Sequence, residues 1–340
     1  MIVVKFGGSS LAGPERMLAA ARIVARHSLT EPVVCVVSAM AGVTDQLFAI
    51  ATLAVRGQSD WQALYASLRA QHEHTLAALA SPGSDMETAQ LAPLCRMMES
   101  DIVALAAKPE GREREEAIAV FSAWGEKLSV RLFAAAMAHA GIEATLFEDA
   151  PVIVEHDLRR ASPRWIASVA ATSLWLRDPI TNLMRRGKTP VLPGYLALTQ
   201  DGAYTTLGRN GSDHSAAIIG AALDAHAVYM YSDVAGIYEA DPRVMPGARL
   251  LASLTYGEAA AIATRGARVL HPASLLPLAQ RGIQLYLRSA FDPEAPGTDI
   301  GMFGDSCPPP PRLDTTPLGA LLASLALAGT QRKVGRPDAF

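Results

Sequence analysis

Lys5-Phe6-Gly7-Gly8-Ser9-Ser10 sets a lysine and two adjacent glycines between a short apolar run and a segment that reads as a helix. Adjacent glycines let backbone amides approach a ligand closely and adopt positive φ. Such amides, followed by a helix N-terminus, suit a phosphate. Lys5, at the end of the run, stands where it can neutralise transferring phosphoryl oxygens. The plainer reading is a strand–turn–helix connection with a lysine that reaches to solvent. The loop GxxxxGK[ST] and the fingerprint GxGxxG are both absent from the chain.

Four further stretches hold residues of the same kind. Residues 38–44 end a second apolar run, where ligands of open α/β sheets bind. Ser38 and Thr44 offer hydroxyls there, or Thr44 caps the next helix and Ser38 only closes the strand. Gly125-Glu126 interrupts an apolar helical stretch, where a glycine costs about 1 kcal/mol against alanine. That cost points to close approach of another group, and the adjacent carboxylate can meet a substrate ammonium; equally, Glu126 can pair at the surface with Arg131 or a nearby lysine. Residues 205–217 carry a Gly/Asn loop into a helix with Ser212 and Asp213 in its first turn. Arg209 there can grip a carboxylate or phosphate with two parallel hydrogen bonds. Asp213 can hold Lys5 or a magnesium-bound water, and either Ser212 or Asp213 can cap the helix. Residues 231–243 follow another strand, and Asp233, Tyr238 and Arg243 suit a nucleotide; as a bare pattern the stretch is also a surface turn.

The elements that must position these residues alternate. Runs at 2–6, 32–38, 190–193 and 227–233 read as buried strands. Stretches at 14–27, 45–55, 61–80, 112–140 and 212–223 read as helices. Strands alternating with helices predict a mostly parallel, helix-covered sheet, with a helical insertion over about 45–140. The four prolines of 308–311 read as a linker, and Leu318, Leu321, Leu322 and Leu325 make one apolar helical face beyond it.

Composition bounds the rest. Half of the residues are hydrophobic (50%), and 30 Lys+Arg stand against 33 Asp+Glu for a formal charge of −3. That describes a globular chain with no electrostatic footprint for nucleic acid or an anionic membrane. The 3 cysteines, Cys35, Cys95 and Cys307, make no CxxC pair and no disulfide framework, and no signal peptide is visible, so the expected location is the cytoplasm. His72 and His74 read as solvated surface histidines, HExxH is absent, and no residue is read as a metal ligand.

Taken together, residues 5–10, 38–44, 125–126, 205–217, 232–243 and 266–272 resemble, in order, the aspartokinases of the amino-acid kinase superfamily. The resemblance implies a three-layer αβα sandwich, bilobal, with a mostly parallel central sheet. It places the catalytic domain at 1–305, with an amino-acid lobe at 1–200 and a nucleotide lobe at 201–305, and a linker and tail at 306–340. It implies phosphorylation of the side-chain carboxylate of L-aspartate by ATP with Mg2+, giving 4-phospho-L-aspartate. Other readings are a kinase of the same fold acting on another acidic amino acid or an aspartate analogue, and a non-catalytic binding module.

The resemblance also implies residue roles. Lys5 stabilises the transferring phosphoryl group, with Gly7, Gly8 and Ser9 near the phosphates, and Asp213 orients Lys5 or the metal site. Arg209 binds the substrate carboxylate and Glu126 its ammonium, while Ser38, Thr44 and Ser212 help place the attacking group. Ser232, Asp233, Tyr238, Arg243 and Arg268 hold ATP. Arg268 stands where the family usually has lysine, and the two are not interchangeable in geometry. The chain ends at residue 340, too soon after the match for an ACT regulatory domain. The expectation is therefore no feedback inhibition by lysine or threonine, and a homodimer formed through the catalytic domain.

Overall fold

The computed structural model describes residues 1–79, 91–156, 165–208, 210–240, 242, 244–264 and 270–302. Its centre is β1 (Ile2–Phe6), five residues buried on both faces. A Val/Ile run of this kind belongs inside a sheet covered by helices on each side. Parallel neighbours flank it, β2 (Val33–Val37) on one side and β9 (Ala227–Ser232) on the other. Outward from β2 lie β6 (Thr189–Pro193) and β3 (Ala144–Leu146), both parallel. Outward from β9 lie β11 (Gln284–Ser289), parallel, then β12 (Thr298–Gly301), antiparallel, and β10 (Ser253–Thr255). The order is β10-β12-β11-β9-β1-β2-β6-β3, continuous across residue 200. A smaller sheet holds β5 (Trp165–Ala167), β4 (Val152–His156), β7 (Leu196–Thr199) and β8 (Tyr204–Thr206), in that order.

The period-2 alternation of β1 divides the core. Ile2, Val4 and Phe6 point with Val33, Cys35 and Val37 to one face, where they meet Met17 of α1 (Pro14–Ser28), Leu47 of α2 (Val43–Val55) and Phe133 of α6 (Trp124–His139). Val3, Val34, Val36 and Val228 point to the other face. There they meet Leu176 of α7 (Val169–Arg185) and Ile218 and Ile219 of α8 (Gly211–Ala222). Helix, sheet and helix thus form three layers.

The helical insertion consists of α2, α3 (Trp61–Leu79), α4 (Leu91–Ala106), α5 (Arg112–Ser122) and α6. The stretch expected as one helix over 112–140 is two, parted at Ala123. The expectation of a solvated His72 fails: the residue is fully buried in α3, with Nδ1 2.7 Å from the Leu68 carbonyl and Nε2 without a partner among the described residues. Three helices, α7, α9 (Tyr256–Thr264) and α10 (Leu275–Arg281), together with β11 and most of the short strands, lie outside the expected elements; α9 and α10 are short, and α7 carries Pro179, which reads as a helix break. No helix among the described residues is long and apolar enough to cross a membrane. The linker and the leucine-rich tail lie outside the described residues.

Candidate active site

The parallel strands end at one edge, and the chain continues their hydrogen bonding there. The amide of Gly7 donates to the Tyr231 carbonyl (3.1 Å), Ser38 to Phe6 (3.2 Å) and Gly194 to Val37 (2.8 Å). The loops after β1, β2, β6 and β9 are thereby drawn into one cleft at the carboxyl ends of the strands. This is where the sheet reverses its winding order around β1 and opens a binding crevice.

Lys5 shares the face of Val3, so its side chain runs toward α8 rather than α1. It is 8% exposed, and its ammonium donates to Asp213 Oδ1, 208 residues away in sequence. Asp213 lies in the first turn of α8, where an anionic side chain complements the helix dipole. The helix is entered through Asn210, which takes a left-handed conformation at φ 56° and supplies no side-chain cap; neither Ser212 nor Asp213 serves as the cap. Ser212 is buried against Gly194, where a Cβ would fall 2.6 Å from its Oγ.

Gly8 begins a short 3-10 turn, Gly8–Leu11, that seats the first loop on the second. The Ala41 amide donates to the Gly8 carbonyl at 3.1 Å, and a Cβ on Gly8 would lie 2.8 Å from the Ala39 carbonyl oxygen. Only a glycine lets the two loops meet. A Cβ on Gly7 would stand 3.5 Å from Lys5 Nζ, so the glycine leaves the face of the ammonium open. Ser9 is half-buried beside it. Ser38 and Thr44 are half-buried as well; α2 is capped by Gly42 at φ 80°, so Thr44 sits inside the first turn and does not cap it.

On the opposite wall, α6 lies directly against the loop after β2. At Gly125 a Cβ would come within 2.6 Å of Ala39 Cβ and 3.0 Å of Val43 Cγ1. The next residue, Glu126, is 3% exposed, and its Oε2 has no hydrogen-bond partner among the described residues. Burial pushes its carboxyl up to about 8, against the smaller opposing influence of backbone hydrogen bonds and of Lys5. It forms no surface pair with Arg131, which instead binds Glu148 at 2.5 Å. A buried carboxyl with one oxygen left without a partner is a group shaped for a cationic partner. Gly125→Ala is expected to destabilise the protein: overpacking costs about 1–3 kcal/mol, partly offset by about 1 kcal/mol of helix propensity. A lower urea midpoint at unchanged m checks this, and a midpoint equal to wild type would contradict the close contact.

At the far side of the cleft, Ser232 closes β9 with its hydroxyl turned into a local bend, 3.1 Å from the Val234 carbonyl. Asp233 is exposed and Tyr238 half-buried, bridging to Leu250. Arg209, Arg243 and Arg268 lie outside the described residues. Two bordering groups were passed over in the sequence. Tyr195 stands at φ 65°, its amide donating to Ser215 Oγ (2.9 Å) and its hydroxyl 3.1 Å from Ser122 Oγ. The Pro193-Gly194 pair before it was the available signal of a tight turn. His214, the residue after Asp213, is pushed down to about 4 by burial and by His271. Nothing local distinguishes it from a surface histidine of α8.

The arrangement can neutralise an anionic group at Lys5 and accept a cation at Glu126. Residues 1–289 match the model of the amino acid kinase family. The chain is 33% identical to chloroplastic aspartokinase 3 of Arabidopsis thaliana over 88% of its own length and 52% of the relative's. It is 33% identical to the lysine-sensitive aspartokinase 3 of Escherichia coli over 88% and 63%. It thus spans between about half and two thirds of these relatives. The crystal structure of E. coli aspartokinase III in complex with aspartate and ADP superposes with a TM-score of 0.78 at 29% identity, over 90% of this chain and 65% of that one. With the family model matched over residues 1–289 and the fold in agreement, the chain belongs to the amino acid kinase family.

Proposed function

We propose that the chain transfers the γ-phosphoryl group of ATP to the side-chain carboxylate of L-aspartate, giving 4-phospho-L-aspartate and ADP. The observation that carries this reading is one juxtaposition: Lys5, buried and paired with Asp213, faces a cleft in which the buried Glu126 has an unpartnered oxygen. An α-amino acid brings the ammonium that Glu126 lacks. The solved relative described above with aspartate and ADP supports the same assignment.

The chemistry needs little from the protein beyond placement. A carboxylate with an ordinary pKa near 3.9 is already ionised at neutral pH, so no general base has to activate it. What remains is to bring two anions together and to spread the charge that develops on the phosphoryl oxygens. Lys5 supplies that charge, held in direction by Asp213. The amides of Gly7 and Gly8 and the Ser9 hydroxyl hold phosphate oxygens. Glu126 takes the substrate ammonium, Arg209 its α-carboxylate, and Ser38, Thr44 and Ser212 line the path of the attacking oxygen. Ser232, Asp233, Tyr238, Arg243 and Arg268 serve the nucleotide.

Among the described residues no group of three or more His, Cys, Asp or Glu could hold a metal ion alone. Magnesium fits this site in its usual way, resting on phosphates and waters with at most one or two carboxylates. Asp213 and Asp233 are two carboxylates at this edge of the sheet. When bound with the nucleotide, the ion supplies further positive charge to the phosphoryl oxygens.

The test uses the acyl phosphate itself. Purified protein with Mg·ATP, hydroxylamine and a panel of acidic amino acids should yield hydroxamate with aspartate and not with glutamate. Hydroxamate with another acid alone moves the substrate assignment, and none with any acid overturns the kinase reading.

A further inference from the structure

Beside the cleft, where β6 and β3 meet α6, lies a cavity of about 330 Å³. Its walls come from α4, α6, the end of β6, the loop behind β3, and Tyr204 of β8. Lys5, Ser38, Glu126, Ser212 and Asp213 do not line it. The volume is that of a pocket for a small metabolite.

Lys127 is its charged centre. The ammonium lies 4.9 Å from the Trp124 ring centroid and 4.6 Å from that of Tyr204. Two aromatic faces hold a cation in place but accept none of its hydrogen bonds. Among the described residues no carboxylate comes within ion-pair distance of it, because the nearby acids are engaged elsewhere. Glu148 binds Arg131 at 2.5 Å. Asp149 accepts from the Tyr204 hydroxyl at 2.9 Å and from the Ala150 amide at 2.7 Å. Asp101 accepts from Trp124 Nε1 at 2.9 Å. Burial accordingly holds Lys127 below the ordinary lysine range, even with these acids in its surroundings. The rest of the lining sets apolar side chains, Leu94, Val130 and Phe147 among them, beside Asp149 and the mutually paired Arg131 and Glu148.

A caged, unpaired cation beside an apolar wall selects an anion with an apolar body. Glu148 and Asp149 on the rim select against a second negative charge. We propose that this cavity binds a small monocarboxylic acid, its carboxylate on Lys127 Nζ and its hydrocarbon body against Leu94, Val130 and Phe147. The proposal concerns binding alone and stands apart from the kinase reading.

Isothermal titration of the full chain with 4-methylpentanoate tests it, with 4-methylpentanamide and glutarate as comparisons. Saturable one-to-one binding of the monocarboxylate is expected. The neutral amide, the dicarboxylate and the Lys127→Met variant should each bind at least about tenfold more weakly, as loss of a charge-assisted hydrogen bond implies. Lys5→Ala should bind the acid as wild type does. In wild-type protein with ¹³C-dimethylated lysines, the acid should shift the Lys127 signal, which keeps the test valid if Lys127→Met fails to fold. Absence of saturable binding, an unshifted Lys127 signal, binding by Lys127→Met equal to wild type, equal binding of the amide, or loss of binding in Lys5→Ala would each overturn the proposal.

Discussion

Replacing Lys5 with alanine is expected to lower kcat by about 10²–10³-fold, the usual effect of removing one preorganised charge from a developing anion. The reason is positional. Lys5 is the cation at the end of β1, 8% exposed and fixed by Asp213, so it is set before substrate arrives and needs no reorganisation during the transfer. KM for ATP should move less than kcat, because the charge that Lys5 meets is largest in the transition state. The variant also strips Asp213 of its partner, so some stability is lost; far-UV circular dichroism and a thermal melt establish that the fold survives. Lys5→Met restores most of the volume without the charge and should be as inactive as Lys5→Ala. Lys5→Arg should not rescue turnover, since a planar guanidinium needs more room than the compact ammonium beside Gly7. Turnover of Lys5→Ala near that of wild type would remove Lys5 from the reaction.

Glu126→Gln carries the second large effect. Loss of a buried charge partner for the substrate ammonium should raise KM for the amino acid by roughly 10²-fold, with a smaller change in kcat. The pH profile separates this from a merely structural role. Burial pushes Glu126 up to about 8, so the free protein holds it protonated at neutral pH. Ammonium binding requires the carboxylate. KM for the amino acid should therefore fall as pH rises toward 8 and level off above it, while the Gln variant shows no such dependence.

The same shift has a consequence for stability. A carboxyl raised from an ordinary 4.5 to about 8 keeps its proton in the native state through a range where the unfolded chain has lost it. Stability is then fully present below about 4.5 and is lost progressively as pH climbs to about 8. Glu126→Gln should melt near wild type at pH 5 and above it at pH 9. Parallel melting curves at both pH values would show that Glu126 is ionised throughout, contrary to its burial.

Much of the site was legible because its signals are local. The apolar run of β1, the glycines after it, and the turn from 205 to 217 into α8 each fit within a dozen residues, where period and turn chemistry suffice. Gly125 was legible as a cost: a glycine inside a helix needs a reason, and Ala39 at 2.6 Å from its would-be Cβ is that reason. The short strands β3, β5, β8, β10 and β12, three or four residues each, were not legible, because so short a run carries no measurable period. The break at Ala123 was hidden for a related reason. Both helices continue the same apolar pattern, and Ala123 ends the first and opens the second with no proline or capping side chain to announce it.

What the sequence by itself determined is therefore the alternation of strands and helices, the loops at the strand ends, and which residue types those loops bring. What only the tertiary structure decided is who meets whom and how dry the meeting place is. Lys5 finds Asp213 across 208 residues because β1 turns its odd residues toward α8, a matter of topology. Glu126 is a surface glutamate in one packing and an orphaned, proton-holding carboxyl in another; its pKa follows from burial, which belongs to the whole fold. His72 and Lys127 teach the same lesson in the opposite direction. Each looks like a solvated polar residue of a helix, yet His72 is fully buried and Lys127 half-buried among segments distant in sequence, contacts that no local pattern encodes.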